Sequence, residues 1–426
     1  MFLKNHSIVP TYEHRRYNSS TSGQFQAKLA IKNVPGPDWN RTIRDAENLV
    51  GYESSFRSLR EFLGNENAVI GLKLQERISC MHPLFNVSKN IPYLDDKLLA
   101  WGLLVLLVSK ATAHGSDVQI ADHKRGNAGV LQSQRTLAQV TETVRTSQLV
   151  HQAIQNLQSC GNAGNDLSGD SDMVYGNKIA LLGGDCLLAR AFQQVSTLRN
   201  QELILLMSSA LRDLTESNFI GDRDDQNNPL PGKPLSGVNV YTEDVDSLDE
   251  LNFGDLDDNI APLQVQGNLG SAEREWSLRN LLAGGSLLGK GCQGTIMLAG
   301  HQEHLQRRGY LFGRHLALAW QASLDLQPFL GTRLLEGAKF SLVSAPILFH
   351  LEREETLYEE IEKGIQSVDN INYAKVHRIV AQGPGVEKTK VLQRKHSALA
   401  TRILHELPLT DARVALENIL LAMQEL

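Results

Sequence analysis

Sulfur is scarce in this 426-residue chain and forms no pattern. The four cysteines, Cys80, Cys160, Cys186 and Cys292, include no C-x-x-C pair. That sets aside a disulfide scaffold and a zinc ribbon and makes a reducing compartment the default. Long apolar runs are missing too. The longest uncharged one, Leu98 to Val108, has 11 residues, whereas a membrane span needs about 20, so a buried core helix is the better reading and no transmembrane segment is expected. There is no surplus of base: Lys plus Arg total 42 against 48 for Asp plus Glu, a net charge of −6, and no basic face suggests nucleic acid. Neither H-E-x-x-H nor a G-x-S-x-G nucleophile elbow occurs. Period-2 alternation is rare, which leaves little room for sheet. What remains is 42% apolar and 21% charged, an ordinary globular balance in a chain long enough to bury a large core.

The acids are unevenly placed. Between Asp222 and Asp258 stand eleven acids and two bases, Arg223 and Lys233, a net −9 in a chain whose total is −6. With Pro229, Pro231 and Pro234 close by, 221–270 reads as an acidic, disordered insertion whose like charges repel. Residues 1–37 carry five bases, one acid and several Ser and Thr without apolar periodicity, which suits a mitochondrial transit peptide or a disordered tail. Pro35-Gly36-Pro37 marks its end, and 38–426 is expected to form one helical domain. Leu416, Ile419, Leu420 and Met423 fall on one helical face; so do Leu392, Leu399, Ile403 and Leu407, with Pro408 to end that helix and Thr410 to cap the next. Leu98–Lys110, Ile179–Phe192, Leu203–Leu211 and Phe312–Leu324 are further helices, several apolar nearly all round and therefore enclosed by others. The expectation is an all-α bundle of about ten or more helices.

Several motifs tempt. Gly284-x-x-x-x-Gly289-Lys290 resembles a phosphate loop, but Gly291 stands where a metal-holding Ser or Thr belongs, and helix rather than strand precedes it. Gly289-x-Gly291-x-x-Gly294 matches a dinucleotide fingerprint and also lacks the strand; small residues for close helix approach explain both. His301 and His304 would share a helical face as surface polar groups, Asp95-Asp96 would start a helix, and Glu359, Glu360 and Glu362 would line a solvated face.

Two stretches are more specific: Gly176-Asn-Lys-Ile-Ala-Leu-Leu-Gly-Gly-Asp-Cys-Leu-Leu-Ala-Arg190, and Phe312-Gly-Arg-His-Leu-Ala-Leu-Ala-Trp-Gln321 followed by Asp325. Both resemble the trans-prenyl (polyprenyl) diphosphate synthases, as do Ser344–Glu352 and the Leu407-Pro408 helix pair. The resemblance covers about 38–426 apart from the acidic stretch. It implies an isoprenoid-synthase-like bundle around a central cavity, where an allylic diphosphate is joined to isopentenyl diphosphate. Two D-D-x-x-D motifs on facing helices would hold magnesium there.

The matching positions here are Gln152, Ala153 and Asn156 for the first motif, and Leu324, Asp325 and Pro328 for the second. One carboxylate of six survives. The family's G-K-R-x-R-P stretch corresponds to Lys97-Leu-Leu-Ala-Trp-Gly102, its R-R-G has no counterpart, and its K-T pair becomes Ala283-Gly284. A scaffold kept while its charges are lost implies no catalytic residue and no cofactor or metal bound by this chain, with magnesium left to a partner.

Trp39-Asn40, Ala46–Tyr52, Ser55–Arg60, His82-Pro-Leu84 and Leu103–Ala111 further resemble the partner-subunit branch of the family. That branch implies a non-catalytic subunit in the mitochondrial matrix. It would join a D-D-x-x-D-bearing catalytic polyprenyl diphosphate synthase subunit in a hetero-oligomer, such as a heterotetramer, making the ubiquinone side chain. Two alternatives stand beside it: a polyprenyl- or quinone-binding protein on the same degenerate scaffold, and an unusual enzyme resting on Asp325 and Asp185.

Overall fold

A computed structural model of the chain describes residues 38–51, 99–113, 129–156, 167–234, 260–331, 334, 338–354 and 356–424. All lie within one compact unit, Gly36–Leu426. The tail of 1–37, Cys80, Asp95, Asp96, Lys97, Cys160 and the stretches around Ser55–Arg60 and His82 lie outside the described residues.

The described helices are α1 (Trp39–Val50), α2 (Trp101–Thr112), α3 (Gln132–Gln152), α4 (Leu167–Thr197), α5 (Gln201–Glu216), α6 (Ala272–Asn280), α7 (Ser286–Leu298), α8 (Glu303–Leu330), α9 (Ala345–Leu351), α10 (Thr356–Glu362), α11 (Tyr373–Gln382), α12 (Gly385–His405) and α13 (Asp411–Ala422). The all-α expectation holds: among the described residues, extended pairing is limited to isolated bridges such as Arg223 with Pro229.

Local signals act as anticipated at several ends. The Asp38 carboxylate accepts from the Arg41 N–H at 3.3 Å and starts α1, which stops at Gly51 with φ +62°, a left-handed conformation suited to glycine. Thr410 Oγ1 accepts from Arg413 N at 3.1 Å to open α13 just beyond Pro408.

The core is arranged around α2. Leu103 to Leu107 are inaccessible to solvent, and α1, α3, α7 and α13 surround them. Because α2 is apolar nearly all round, its stability comes from this enclosure. Its first N–H groups are capped by a side chain of α3: Glu142 Oε2 accepts from Trp101 N at 2.7 Å and Gly102 N at 3.0 Å.

Glycines set the closest approaches. A methyl group on Gly313 of α8 would lie 2.8 Å from the Leu288 carbonyl oxygen and 2.9 Å from the Gly289 α-carbon of α7. One on Gly291 would meet Thr141 of α3 at 3.0 Å, and one on Gly294 would meet Leu203 of α5 at 2.5 Å. The glycines that imitate nucleotide fingerprints are thus the seams by which α7 packs on its neighbours.

Three expectations need correction. The ends of the acidic stretch are built into the body. Arg279 of α6 donates to the carbonyls of Ile220 at 3.1 Å and Leu230 at 2.9 Å. Glu275 accepts from Gly232 N at 2.9 Å and Gly270 N at 2.7 Å. Asp224 is buried because its carboxylate accepts from Gln226 N, Asn228 N and Asn228 Nδ2. These acids act as turn acceptors instead of repelling one another. Disorder therefore does not describe 221–234 or 260–270, while 235–259 lie outside the described residues.

Next, His301 precedes α8 and does not share a helical face with His304; its Nε2–H donates to the Ala113 carbonyl at 3.2 Å. Lastly, Glu360 is buried, not solvated. Salt bridges from Lys375 at 2.7 Å and Lys363 at 3.0 Å hold its carboxyl down at about 2.

Gly313→Ala should lower stability by about 1–3 kcal/mol, because the added methyl meets fixed backbone on α7. The exposed control Ser208→Ala should stay within about 0.5 kcal/mol. Urea denaturation followed by circular dichroism measures both.

Candidate functional site

The first motif position lies where α3 ends. Gln152 is the last helical residue and is exposed; Ala153 caps the helix and is buried; Asn156 is exposed and lies past the helix. The D-D-x-x-D pattern places its outer residues one turn apart on a helix, and that geometry is not made here. The cause is a competing set of bonds. Asn177 of α4 accepts from Gln155 N at 2.9 Å and donates to the Gln155 carbonyl at 2.7 Å, so both backbone groups bond across to α4. Asn156 Nδ2 donates to the Asp225 carbonyl at 3.0 Å. Just before the motif, the His151 ring packs on Gly184, where a methyl group would meet it at 2.1 Å, and its Nε2 lies 3.4 Å from Asp185.

The second motif position lies near the end of α8. Leu324 is exposed, and Pro328 is inside the helix, with its carbonyl accepting from His377 Nε2–H at 2.9 Å. Asp325 is buried, and both its oxygens are engaged. Oδ2 accepts from Trp276 Nε1 at 2.7 Å and from Ala345 N at 2.9 Å; Oδ1 accepts from Gln321 Nε2 at 2.8 Å. Ala345 is the first residue of α9, so Asp325 caps that helix from another element. Burial pushes its carboxyl up to about 6, against the lowering effect of the three donors.

The stretches matched to phosphate-binding bases are filled from within. Trp101 begins α2. Gly284 sits in the five-residue π-helical turn Leu281–Gly285 that precedes α7. A methyl group on Gly284 would lie 2.4 Å from the Trp101 ring. The two stretches therefore meet as an indole on a glycine. The Arg145 guanidinium lies over the same indole, 4.3 Å from the ring centroid. Lys290, the basic end of the phosphate-loop imitation, is 1% exposed and paired with Asp213 at 2.6 Å. Ser286 also donates to Asp213, and Arg212 donates to its other oxygen at 2.8 Å. Burial lowers the Lys290 pKa, and Asp213 opposes that shift.

No protein-family model matches the chain. It is 32% identical over 393 residues to the all trans-polyprenyl-diphosphate synthase PDSS2 of Mus musculus, an alignment covering 90% of this chain and 87% of the relative. It is 22% identical to the probable mitochondrial hexaprenyl pyrophosphate synthase of Yarrowia lipolytica, across 96% and 94% of the two chains. Among solved structures, the geranylgeranyl pyrophosphate synthase of Lactobacillus brevis superposes with a TM-score of 0.55 at 15% identity, covering 90% of this chain and 98% of that one. The chain belongs to the all-trans-polyprenyl-diphosphate synthase family.

Within this polyprenyl synthase fold, the positions matched to the acid motifs do not suit magnesium. Gln152 and Asn156 offer neutral oxygens, Ala153, Leu324 and Pro328 offer no side-chain oxygen, and the Asp325 oxygens already accept three hydrogen bonds. Asp185 of α4 lies against His151 of α3, 3.4 Å from its Nε2.

A second buried polar group was not picked out from the sequence. His315 of α8 and His396 of α12 stack at 5.3 Å, with Nδ1 atoms 3.1 Å apart, so one donates to the other. His396 also stacks on Trp276 at 6.0 Å, which links the pair to Asp325. Burial, with Lys395 and Arg314 nearby, lowers the His396 pKa to about 3 and holds His315 well below its usual value. A His inside an apolar run, as at His315, is the signal a reader of the sequence could have used.

These groups set opposite pH dependences. The folded state resists protonating the histidines, so their contribution is present above about 6.5 and is lost as pH falls toward about 3. Asp325 has a raised folded pKa, so its contribution is greatest below about 3.9 and is lost as pH rises through about 6. His396→Phe should flatten the acid side of the stability profile, measured by urea unfolding at a series of pH values.

Asp325→Asn should cost under about 1 kcal/mol, because Gln321 can turn its amide and the Trp276 and Ala345 donors keep an oxygen. Asp325→Leu should cost about 2–4 kcal/mol, because those two buried donors lose theirs. Equal losses in the two variants would show that the bonds at Asp325 do not carry its role.

Proposed function

We propose that this chain is the non-catalytic partner subunit of a heteromeric trans-polyprenyl diphosphate synthase that builds the ubiquinone side chain in the mitochondrial matrix. The observation that carries the reading is Asp325. The last carboxylate of the two motifs is buried, capping α9 and holding Trp276. Stabilising charge on a leaving diphosphate needs cations at fixed positions. None of the residues at the six motif positions is arranged to hold them. The indole of Trp101 against Gly284 supports the same reading, because it occupies ground where the family resemblance expects bases. The PDSS2 relative and the mitochondrial name of the Yarrowia lipolytica relative support the family role and the compartment. The catalytic partner supplies both acid motifs and their magnesium, in a hetero-oligomer such as a heterotetramer.

The purified chain with magnesium, an allylic diphosphate and isopentenyl diphosphate should give no product above background. Adding a catalytic subunit that carries both motifs should raise its turnover or shift its product length. Turnover by this chain alone would overturn the proposal. So would a chain that co-purifies with polyprenyl or quinone lipid and leaves the synthase unchanged. The triple change Gln152→Asp, Ala153→Asp and Asn156→Asp should also stay at background, since it leaves Asp325 engaged with α9 and Trp276.

A further inference from the structure

α12 is a basic helix in an acidic chain. Within Gly385–His405 stand five bases, Lys388, Lys390, Arg394, Lys395 and Arg402, and one acid, Glu387, a net +4 where the whole chain carries −6. No other described helix exceeds +2. The inner face of α12 packs on α8 and α9. On its outer face, Lys388, Val391, Arg394, Lys395, Ala398 and Arg402 fall within about 120° of arc at 3.6 residues per turn. Val391 is 58% exposed, and Arg394, Ala398 and Arg402 are exposed with it. Arg394 and Arg402 carry no salt bridge among the described residues. The face is therefore a charged surface with an apolar centre, and it calls for an acidic occupant.

The most acidic part of the chain starts beside this face. Gly232 N and Gly270 N both donate to Glu275 of α6, at 2.9 and 2.7 Å, so the excursion between them is closed at its base. That base adjoins α12. Glu273 bonds Lys395 at 2.5 Å, and Glu352, which accepts from Ala272 N, lies 3.4 Å from Lys388. Pro234, the last described residue before 235–259, lines the same small cavity as Ala272 and Glu352. At the other end, Arg212 of α5 holds the carbonyls of Ile260 and Ala261 at 2.7 and 2.9 Å. Residues 235–259 hold eight acids, from Glu243 to Asp258, and no base. Val245, Leu248, Leu251, Phe253 and Leu256 are interspersed among them. This mixture matches a face of bases around Val391 and Ala398 in charge and in polarity. The 25 residues can reach up to about 85 Å, well beyond the ~21 Å from Lys388 to Arg402, so the segment can run along α12 and return.

We propose that residues 235–259 dock on the outer face of α12 of the same chain, with their acids against its lysines and arginines and their apolar residues over Val391 and Ala398. The contact occupies the most basic described helix from within the chain. It goes beyond the subunit role proposed above and does not require it, since it is read by cross-linking and not by turnover.

The test treats the full chain with a water-soluble carbodiimide, which joins an amine only to a carboxylate it already touches, and reads the digest by mass spectrometry. Acids between Glu243 and Asp258 should couple to Lys388 and Lys390. A mixture of unlabelled and isotopically labelled chains should show that the coupling is within one chain. Glu273 with Lys395, at 2.5 Å, and Glu387 with Lys390, at 2.6 Å, are the internal controls for the chemistry. At about 1 M salt the couplings from 243–258 should fall at least ~fivefold, because the Debye length drops to ~3 Å. The double change Arg394→Glu and Arg402→Glu should lower them by at least ~fivefold too, through like-charge repulsion. Circular dichroism confirms that this variant is folded. Controls that couple while 243–258 does not reach α12 overturn the proposal, whatever the chain does with a catalytic subunit. So do couplings found only between copies, or couplings that the folded variant leaves unchanged.

Discussion

One carboxylate organises the half of the bundle where the second acid motif would lie. Asp325 reaches out of α8 to the first N–H of α9 and to the indole of α6, and Gln321 secures its remaining oxygen. Trp276 then stacks on His396, and His396 on His315. Four helices thus meet through one buried acid and the aromatic stack beside it. Such a group is held by its donors: removing them would leave a buried charge, and removing it would leave buried N–H groups without acceptors. A carboxylate used in this way cannot also lend its oxygens to cations without releasing α9.

Internal pairing of this kind recurs elsewhere in the bundle. Lys290 neutralises Asp213 inside the bundle, with Arg212 and Ser286 on the same carboxylate. Trp101 lies on Gly284, and Arg145 covers the indole. A buried charge without a counter-ion costs several kcal/mol, so charged groups in the interior of the bundle must be paired. Asp213 is paired with Lys290, and Asp325 is held by three neutral donors. Each of these groups, if left unpaired, would destabilise the packed bundle.

The helical architecture was legible because it depends on local pattern. Leu416, Ile419 and Leu420 show a face, Pro408 a stop, Thr410 a cap and α2 an enclosed apolar run, and each signal lies within a few residues. The positions matched to the acid motifs were assigned from flanking residues alone. Their geometry was not legible. Asp325 finds its partners 49 and 20 residues away, so no window around it could reveal a helix cap. α3 stops at Gln152 because of Asn177, 22 residues from the backbone it binds. The acids of 221–234 looked mutually repulsive because charge counting ignores the backbone donors that Asp224 and Asp225 accept from. Composition sees charge, whereas burial decides whether that charge repels, caps or pairs.

The proposed non-catalytic reading has a further physical consequence for acids placed at the motif positions. Restoring acids at Gln152, Ala153 and Asn156 would place charge on a segment that Asn177 holds out of helix, next to the carbonyl of Asp225. Restoring them at Leu324 and Pro328 would add acids around Asp325, whose carboxyl already stands at about 6 through burial. Crowded, desolvated carboxylates raise one another's pKa, so without cations already in place the new groups would take up protons instead of holding metal. The cations in turn need Asp325 freed from Trp276 and Ala345. Each step is unfavourable until the others are complete, so on the proposed reading no single substitution at these positions builds a metal site.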